Sequence, residues 1–346
     1  MTGALTLAVE LAYWQQTILK VVGVLLAVLL PAGTLVYVFL FKMMSFMQSR
    51  LGPNEAGPYG SLQLLAEVGK FLQKEDIYPE RADRRLFALA PYVVVASTFL
   101  IYVVMPFGPD AYFTNVDTGI FLALALSSVS VIGILIAGWA SANKYSLIGA
   151  LRAAGQLIAY ELPMVLAVVG VVMQAGTLNL QGIVAAQHEG EIFGSGIIGN
   201  PFVITQIVGF VIFLVATQAE LSQPPFDMPV AESEIVTGYM TEYSGMRFLL
   251  FFIGEFATAG AFAALAATLF LGGWSLPGVD LDADIMNVLG PLVLFAKVLL
   301  VAFLIFWVRF TYPRFREDQL QQLAWKFLIP LSLLNIGVTM VLKVAF

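Results

Sequence analysis

Long apolar runs, separated by shorter polar segments, recur along nearly the whole chain. They fall at roughly residues 18–41, 86–105, 120–140, 154–175, 201–219, 248–272, 286–308 and 325–345. A helix needs about 20 apolar residues to cross the hydrocarbon core of a bilayer, and membrane barrels use alternating strands of only about 10 residues. The pattern therefore predicts an all-α integral membrane protein of about eight transmembrane helices, with residues 1–346 forming a single polytopic membrane domain.

The segments that connect these runs differ in their basic residues. The odd-numbered connections lie near residues 42–85, 141–153, 220–247 and 309–326. They hold 14 of the 17 Lys and Arg, whereas the even-numbered connections hold none. Because basic loops stay on the cytoplasmic side, we expect a multi-pass protein of a bacterial-type inner (plasma) membrane, with both termini on the outer side.

The composition supports a membrane location and narrows the chemistry. The chain is 60% hydrophobic and 12% charged, about half the charged fraction of an average soluble domain. It has no cysteine and one histidine, His188, so by itself it cannot ligate an iron–sulfur cluster or a bis-histidine haem. The formal net charge of −6 argues against a nucleic-acid partner. We expect no metal site and no cofactor bound by this chain alone.

The first connection contains an amphipathic segment at residues 61–73. Helical spacing places its apolar residues on one face and Gln63, Glu67 and Lys70 toward the other. The apolar face comprises Leu62, Leu65, Ala66, Gly69 and Leu72. The segment is typical of an amphipathic helix that lies in the membrane interface, and packing on a partner subunit explains the pattern equally well.

Three ionisable residues fall inside predicted spans: Glu161, Glu255 and Lys297. Charged groups inside a membrane are costly, and they face either a polar cavity or one another. One interpretation is that they exchange protons. The other is a static ion pair of Lys297 with Glu161 or Glu255.

The fifth connection, at residues 220–247, is rich in acids and prolines. Its acids are Glu220, Asp227, Glu232, Glu234 and Glu242. Pro224, Pro225 and Pro229 forbid a continuous helix. Apolar residues interleave with the acids, which a merely solvated surface would not need. We therefore expect a structured loop whose acids line a polar cavity.

Several motifs occur in order along the chain. They read Q-S-R-L-G-P-N-E-A-G-P-Y-G-S-L-Q from Gln48, G-W-A-S-A-N-K-Y-S-L-I-G-A-L-R-A-A-G-Q-L-I-A-Y-E from Gly138, P-F-D-M-P-V-A-E-S-E in the fifth connection and T-Y-P-R-F-R-E-D-Q-L after the seventh run. Together they resemble the signatures of the quinone-chamber membrane subunit, the H subunit, of respiratory complex I, the proton-pumping NADH:quinone oxidoreductase.

The resemblance implies a membrane-arm subunit that has no redox centre of its own. Such a subunit forms part of a quinone chamber, walled by its first, amphipathic and sixth helices, and couples quinone reduction to proton translocation. Quinone is the substrate, and iron–sulfur clusters and flavin are expected in partner subunits. The implied partners are the other membrane-arm and peripheral-arm subunits, quinone and lipid.

The resemblance also assigns roles to individual residues. By motif match, the quinone-chamber or loop positions are Arg50, Asp76, Phe226, Asp227, Glu232 and Glu234. The proton-coupling positions are Glu161, Glu220, Glu255, Lys297 and Arg152.

Five positions depart from the family pattern: Leu40, Phe41, Glu55, Gln223 and Val230. Positive and negative side chains are lost together, which would keep the region electroneutral. The departures raise one alternative, the equivalent subunit of a related membrane-bound hydrogenase or formate-hydrogenlyase-type complex, but the completeness of the first and third loop motifs favours complex I. A stand-alone ion transporter is a third possibility, although the chain shows no internal repeat and has long motif-rich loops. The neighbouring genes would distinguish a complex I subunit from a hydrogenase-type subunit.

Overall fold

The computed structural model describes residues 13–190, 199–279, 281 and 285–345. Within these ranges the regular structure is helical, apart from one isolated bridge between Pro106 and Tyr112. The helices are, in chain order, α1 (Tyr13–Leu35), α2 (Gln63–Gln73), α3 (Arg84–Val104), α4 (Gly119–Ala140), α5 (Lys144–Ala175), α6 (Leu180–Glu189), α7 (Ile207–Glu220), α8 (Gly245–Phe270), α9 (Met286–Thr311), α10 (Glu317–Gln322) and α11 (Ile329–Ala345).

Two of these helices continue in π-helical form. The chain of α1 runs on through Val36–Met43 and a last turn at Met44–Met47, and Leu323–Leu328 joins α10 to α11. Among the described residues, seven helical stretches are long and apolar enough to span a membrane. The remaining predicted span, the fifth at residues 201–219, corresponds to α7, which is apolar but has only 14 residues. The prediction of an all-α membrane protein is confirmed.

Two helices begin at different positions from those predicted. α5 starts at Lys144 rather than near residue 154, because the side chain of Asn143 accepts a hydrogen bond from the Tyr145 amide and caps the helix. Arg152 therefore lies on a helix and not in a connection. α7 starts at Ile207 rather than near residue 201, after a single turn at Phe202–Thr205.

Two helices form the centre of the bundle. α8 packs against α1, α3 and α9, and its second half, from Phe256 to Phe270, is almost entirely buried. α5 packs against α4, α7 and α11. α3, which packs on α8, and α4, which packs on α5, also pack closely against each other and so connect the two central helices.

The odd-numbered connections meet at one end of the bundle. Arg247 pairs with Asp76 at 3.0 Å, and the Phe315 amide donates to the Pro225 carbonyl at 3.0 Å. The even-numbered connections meet at the opposite end, where the Ile120 amide donates to the Leu178 carbonyl. The basic residues are thus gathered at one end, as the charge pattern predicts. We call this the basic end.

The amphipathic helix α2 lies at the basic end, beside α1 and α8. The rings of Phe71 and Phe248 stack at 5.6 Å, which fixes α2 against the start of α8. Its predicted apolar face points away from the chain, since Leu65 and Leu72 are both more than 60% exposed. This exposed face suits either lipid or a partner subunit.

Candidate functional site

The fifth connection packs directly against α5 where two glycines meet, Gly149 of the helix and Gly238 of the connection. A Cβ on Gly149 of α5 would lie 2.7 Å from the Cα of Gly238. Gly238 has a φ of +59°, and a Cβ there would come 1.8 Å from the Pro229 carbonyl oxygen. Neither position can accept a side chain without displacing backbone. The loop is therefore held in one conformation along the helix.

Gln156 of α5 ties this loop to the end of α7. Its buried side-chain amide donates to the Ala219 carbonyl at 2.7 Å and to the Phe226 carbonyl at 2.8 Å. The Phe226 ring is buried between Tyr160 and Phe315, with centroid distances of 5.2 and 5.5 Å. Phe226, a predicted chamber residue, is an anchor of the loop in this structure.

A network of alternating charges lies where the loop meets α5 and the segment after α9. Glu234 contacts Arg152 at 2.5 Å and Arg314 at 3.0 Å, and Arg314 also contacts Asp227 at 3.2 Å. Hydrogen bonds from Arg152 and Arg314 hold the pKa of Glu234 below its ordinary value. Burial raises the pKa of Asp227, an effect that the neighbouring Arg314 opposes. The network brings together three of the predicted residues: Arg152, Asp227 and Glu234.

Glu255 of α8 lies in a separate cluster. Its Oε1 accepts from Arg309 of α9 at 3.1 Å and from the side-chain amide of Gln223 at 3.1 Å. The Arg309 guanidinium also lies 5.7 Å from the centre of the Phe256 ring and 5.8 Å from that of Phe306. Such cation–π contacts hold an arginine in place. The Arg309 side chain of α9 therefore neutralises the charge of Glu255.

A small polar cavity separates Glu255 from Glu220 at the end of α7. Both acids line it, together with Ser130, Tyr239 and Val230. Its volume of about 60 Å³ is enough for roughly two to four water molecules. Glu220 Oε2 is shielded from solvent and has no partner among the described atoms. Burial raises the pKa of Tyr239, so its hydroxyl remains protonated.

Glu161 of α5 lies on the α4 side of Glu220. It accepts a hydrogen bond from Ser128 of α4, and α5 packs against α7, which ends at Glu220. Glu161, Glu220 and Glu255 are thus three successive acids running from α5 through α7 to α8.

Lys297 lies apart from these acids. Its ammonium donates to the Ser275 carbonyl at 2.8 Å, in a small cavity that His188 also lines, near the end opposite the basic end. The interpretation of a static pair between Lys297 and Glu161 or Glu255 is wrong, because Glu255 pairs with Arg309 and Glu161 with Ser128.

The remaining predicted residues lie outside both clusters. Asp76 pairs with Arg247, which also contacts Tyr78 and thereby fixes the segment after α2. Arg50 donates to Gln48 at 2.8 Å and is exposed, as is Glu232. Within the described ranges, no group of three His, Cys, Asp or Glu side chains is arranged to hold a metal ion.

Comparison with known proteins identifies the family. A family model described as NADH dehydrogenase matches residues 19–340. The H subunit of NADH-quinone oxidoreductase from Brevibacillus brevis is 42% identical over 97% of this chain and 96% of its own length. An H subunit designated 2, from Syntrophobacter fumaroxidans, is 45% identical over 93% of this chain and 94% of its own length. This chain belongs to the family of NADH-quinone oxidoreductase H subunits. The expected membership of an oxidoreductase complex is confirmed.

The departures from the H-subunit pattern occupy two regions of the structure. Phe41 is buried and Leu40 packs on the core, both in the π-helical extension of α1. Glu55 is exposed. Gln223 contacts Glu255, and Val230 lines the cavity that Glu255 also lines. Two of the departures therefore lie beside the same acid.

Sequence reasoning missed three residues of this site. Arg309 and Arg314 were used only as markers of orientation, yet they neutralise Glu255 and bridge Asp227 to Glu234. The available signal was Arg309 itself, which follows the apolar run of α9 without a polar neighbour. Ser128 was missed as well, since a hydroxyl within an apolar helix carries no distinctive pattern.

Proposed function

We propose that this chain forms part of the quinone chamber of a complex I-type assembly and couples quinone reduction to proton translocation. The observation that carries the proposal is the pair of acids Glu220 and Glu255 on a water-sized cavity, with Glu161 on the adjoining helix α5 as the third member of the row. Buried acids next to such a cavity can pass protons through hydrogen-bonded water. The loop at residues 221–244 closes the cavity on the basic end, where the peripheral arm would dock.

The neighbouring helices support the chamber assignment. The chamber walls that the family resemblance implies are α1, α2 and α8, and these three helices contact one another at the basic end. An apolar groove of about 400 Å³ runs along the π-helical extension of α1 and α9, with Lys42 among its residues. The chain would supply one side of the chamber, and partner subunits would supply the other side and the redox cofactors.

An aromatic stack connects this wall to the acids. Phe39 in the extension of α1 stacks on Phe306 at 5.2 Å, and Phe306 stacks on Phe256 at 5.8 Å. Arg309, the partner of Glu255, contacts both Phe256 and Phe306. A quinone that moved Phe39 would thus disturb the side chain that neutralises Glu255.

The test is quinone-dependent turnover in the purified intact complex, combined with labelling by a photoreactive quinone. We expect NADH oxidation that depends on added quinone, and labelled peptides from α1, α2 or the start of α8. Phe39→Ala should lower turnover more than Phe303→Ala, because Phe303 lines the same groove but lies outside the stack. Absence of both quinone-dependent turnover and quinone labelling would remove the assignment.

The proposal includes orientation and location. The basic end would face the cytoplasm, with both termini on the outer side of a bacterial-type inner membrane, because basic loops are retained inside. The expected donors, iron–sulfur clusters and flavin, would belong to partner subunits.

A further inference from the structure

A large cavity lies away from the proposed chamber, toward the end opposite the basic end. Its volume is about 730 Å³, within the roughly 300–1,000 Å³ typical of small-molecule sites. Its walls come from α1, α3, α8 and α9 and from the connection between α3 and α4. None of the residues of the acid row or of the charge network lines it.

The depth of the cavity fits one leaflet of a bilayer. On α1 its lining runs from Ala27 to Thr34, and on α9 from Pro291 to Val298. Each stretch covers about 10 Å of helix axis. Half of a hydrocarbon core is about 15 Å thick. The cavity is thus about two-thirds as deep as one leaflet is thick.

The interior of the cavity offers little to a polar ligand. The Tyr102 hydroxyl donates to the Ala257 carbonyl at 2.9 Å, and the Thr34 hydroxyl donates to the Leu30 carbonyl at 2.8 Å. The polar groups of the inner wall are thus already satisfied by backbone. The rest of the deep lining is apolar, which suits a hydrocarbon chain.

Charged residues of both signs lie at or near the mouth of the cavity. Asp110 and Tyr112 line it and are exposed, in a connection ordered by the Pro106–Tyr112 bridge. On the other side, Gly23 of α1 lies against Phe113, since a Cβ there would be 2.8 Å from the ring. Lys20 is exposed one turn further out on α1. An anion therefore lines the opening, and a cation lies on α1 one turn beyond Gly23, outside the cavity lining.

We propose that this cavity is a binding site for one acyl chain of a phosphatidylethanolamine molecule, in the leaflet opposite the basic end. The apolar interior would hold the chain, Asp110 would pair with the headgroup amine, and Lys20 would pair with the phosphate. A phosphatidylglycerol headgroup has no amine and would leave Asp110 unpaired. A quinone has neither charge and would use neither residue.

The test uses the intact complex in phosphatidylcholine vesicles that contain phosphatidylethanolamine with a photoreactive group in its acyl chain. We expect labelled peptides from the cavity walls on α1 and α9. The same probe on phosphatidylglycerol should label them about threefold less, the effect of losing one exposed charge pair. Asp110→Asn should abolish that difference between the two lipids.

Two variants fill the cavity from different walls. Ala264→Phe on α8 and Ala27→Phe on α1 should each remove most of the labelling. If the buried Ala264 position does not tolerate an aromatic ring, Ala27→Phe alone still tests the proposal. Ala296→Phe is the matched control, because Ala296 is exposed on α9 and does not line the cavity. Labelling that survives both filled variants, equal labelling by the two lipids, or a partner subunit's side chains in the cavity would overturn the proposal.

Discussion

At the residue scale, the acids of the site differ in how their charge is balanced. Glu234 contacts two arginines, and Glu255 contacts Arg309 and Gln223. Glu220 keeps one shielded oxygen without a partner among the described atoms. Glu220 therefore has a free oxygen that can accept a hydrogen bond from water in the cavity, and its helix α7 packs against both α5 and α8.

The two departures beside Glu255 give a prediction about charge balance. Gln223→Arg adds a second cation to a site where Arg309 already neutralises Glu255, so it should destabilise the loop. Adding Val230→Glu should recover much of that loss, because Val230 and Glu255 line one cavity. A double-mutant cycle on the stability of the complex should give a coupling of about 0.5–3 kcal/mol. Strictly additive effects of the two substitutions would mean that the charge losses at positions 223 and 230 are unrelated.

The charge network predicts how the loop responds to acid. The folded-state pKa of Glu234 lies below its ordinary value, which is about 4.3. The charged form therefore stabilises the loop above that pH, and the stabilisation is lost as the pH falls through the folded pKa. Hydroxyl-radical footprinting of Met240 should increase over this range. Glu234→Gln should show high footprinting that no longer depends on pH. An equal acid response in that variant would assign the change to another group.

At the scale of elements, the loop at residues 221–244 is positioned mainly by α5. Gly149, Gln156 and Arg152 contact it at three successive levels of that helix. The sequence predicted a structured loop whose acids line a polar cavity, because prolines and apolar residues interleave with the acids. The loop is ordered, but among its acids Glu220 alone is part of the cavity lining described, whereas Asp227 and Glu234 contact arginines. The sequence could not show that α5 extends to Lys144, since the polar stretch there resembles a connection. The partners of the acids come from distant segments, which no local pattern reveals.

Gln156 provides a test of that arrangement. Gln156→Leu would remove the side-chain donor of the Phe226 carbonyl and leave the Ala219 carbonyl with only the Ser222 amide, at a cost of about 1–3 kcal/mol. Hydrogen exchange in the amides of the loop should accelerate, while exchange in α3 and α8 stays unchanged. Gln321→Leu is the control, because Gln321 is only half-buried and bonds one carbonyl. Unchanged exchange in the Gln156 variant would show that the glycine contacts alone hold the loop.

At the scale of the whole molecule, the apolar runs and the charge bias predicted most of the architecture. The seven long spans and the gathering of basic connections at one end follow from hydropathy and from the positions of Lys and Arg, whereas the late start of α7 at Ile207 does not. The cavity opposite the basic end was not foreseen. It arises where α1, α3, α8 and α9 diverge, and divergence depends on packing rather than on composition.

The orientation of the molecule can be tested directly. A reporter fused after Phe346 should behave as an exported domain, and one inserted near Glu80 should behave as cytoplasmic. The reason is the concentration of 14 of 17 basic residues in the odd-numbered connections, since basic loops are retained on the cytoplasmic side. A cytoplasmic reporter at the C-terminus would overturn both the number of spans and the assignment of the basic end.

The central claim is that the row of acids carries protons when quinone is reduced. The most direct measurement is proton translocation by the assembled complex in vesicles during quinone-dependent turnover. Glu161→Gln and Glu220→Gln preserve shape and remove the titratable proton, so each should assemble normally. Their proton-coupled turnover should fall by about 10²-fold, as when a positioned acid–base group is lost. Glu80→Gln, an exposed acid of the first connection, should match the unsubstituted complex. Full proton-coupled turnover in both row variants would contradict the account.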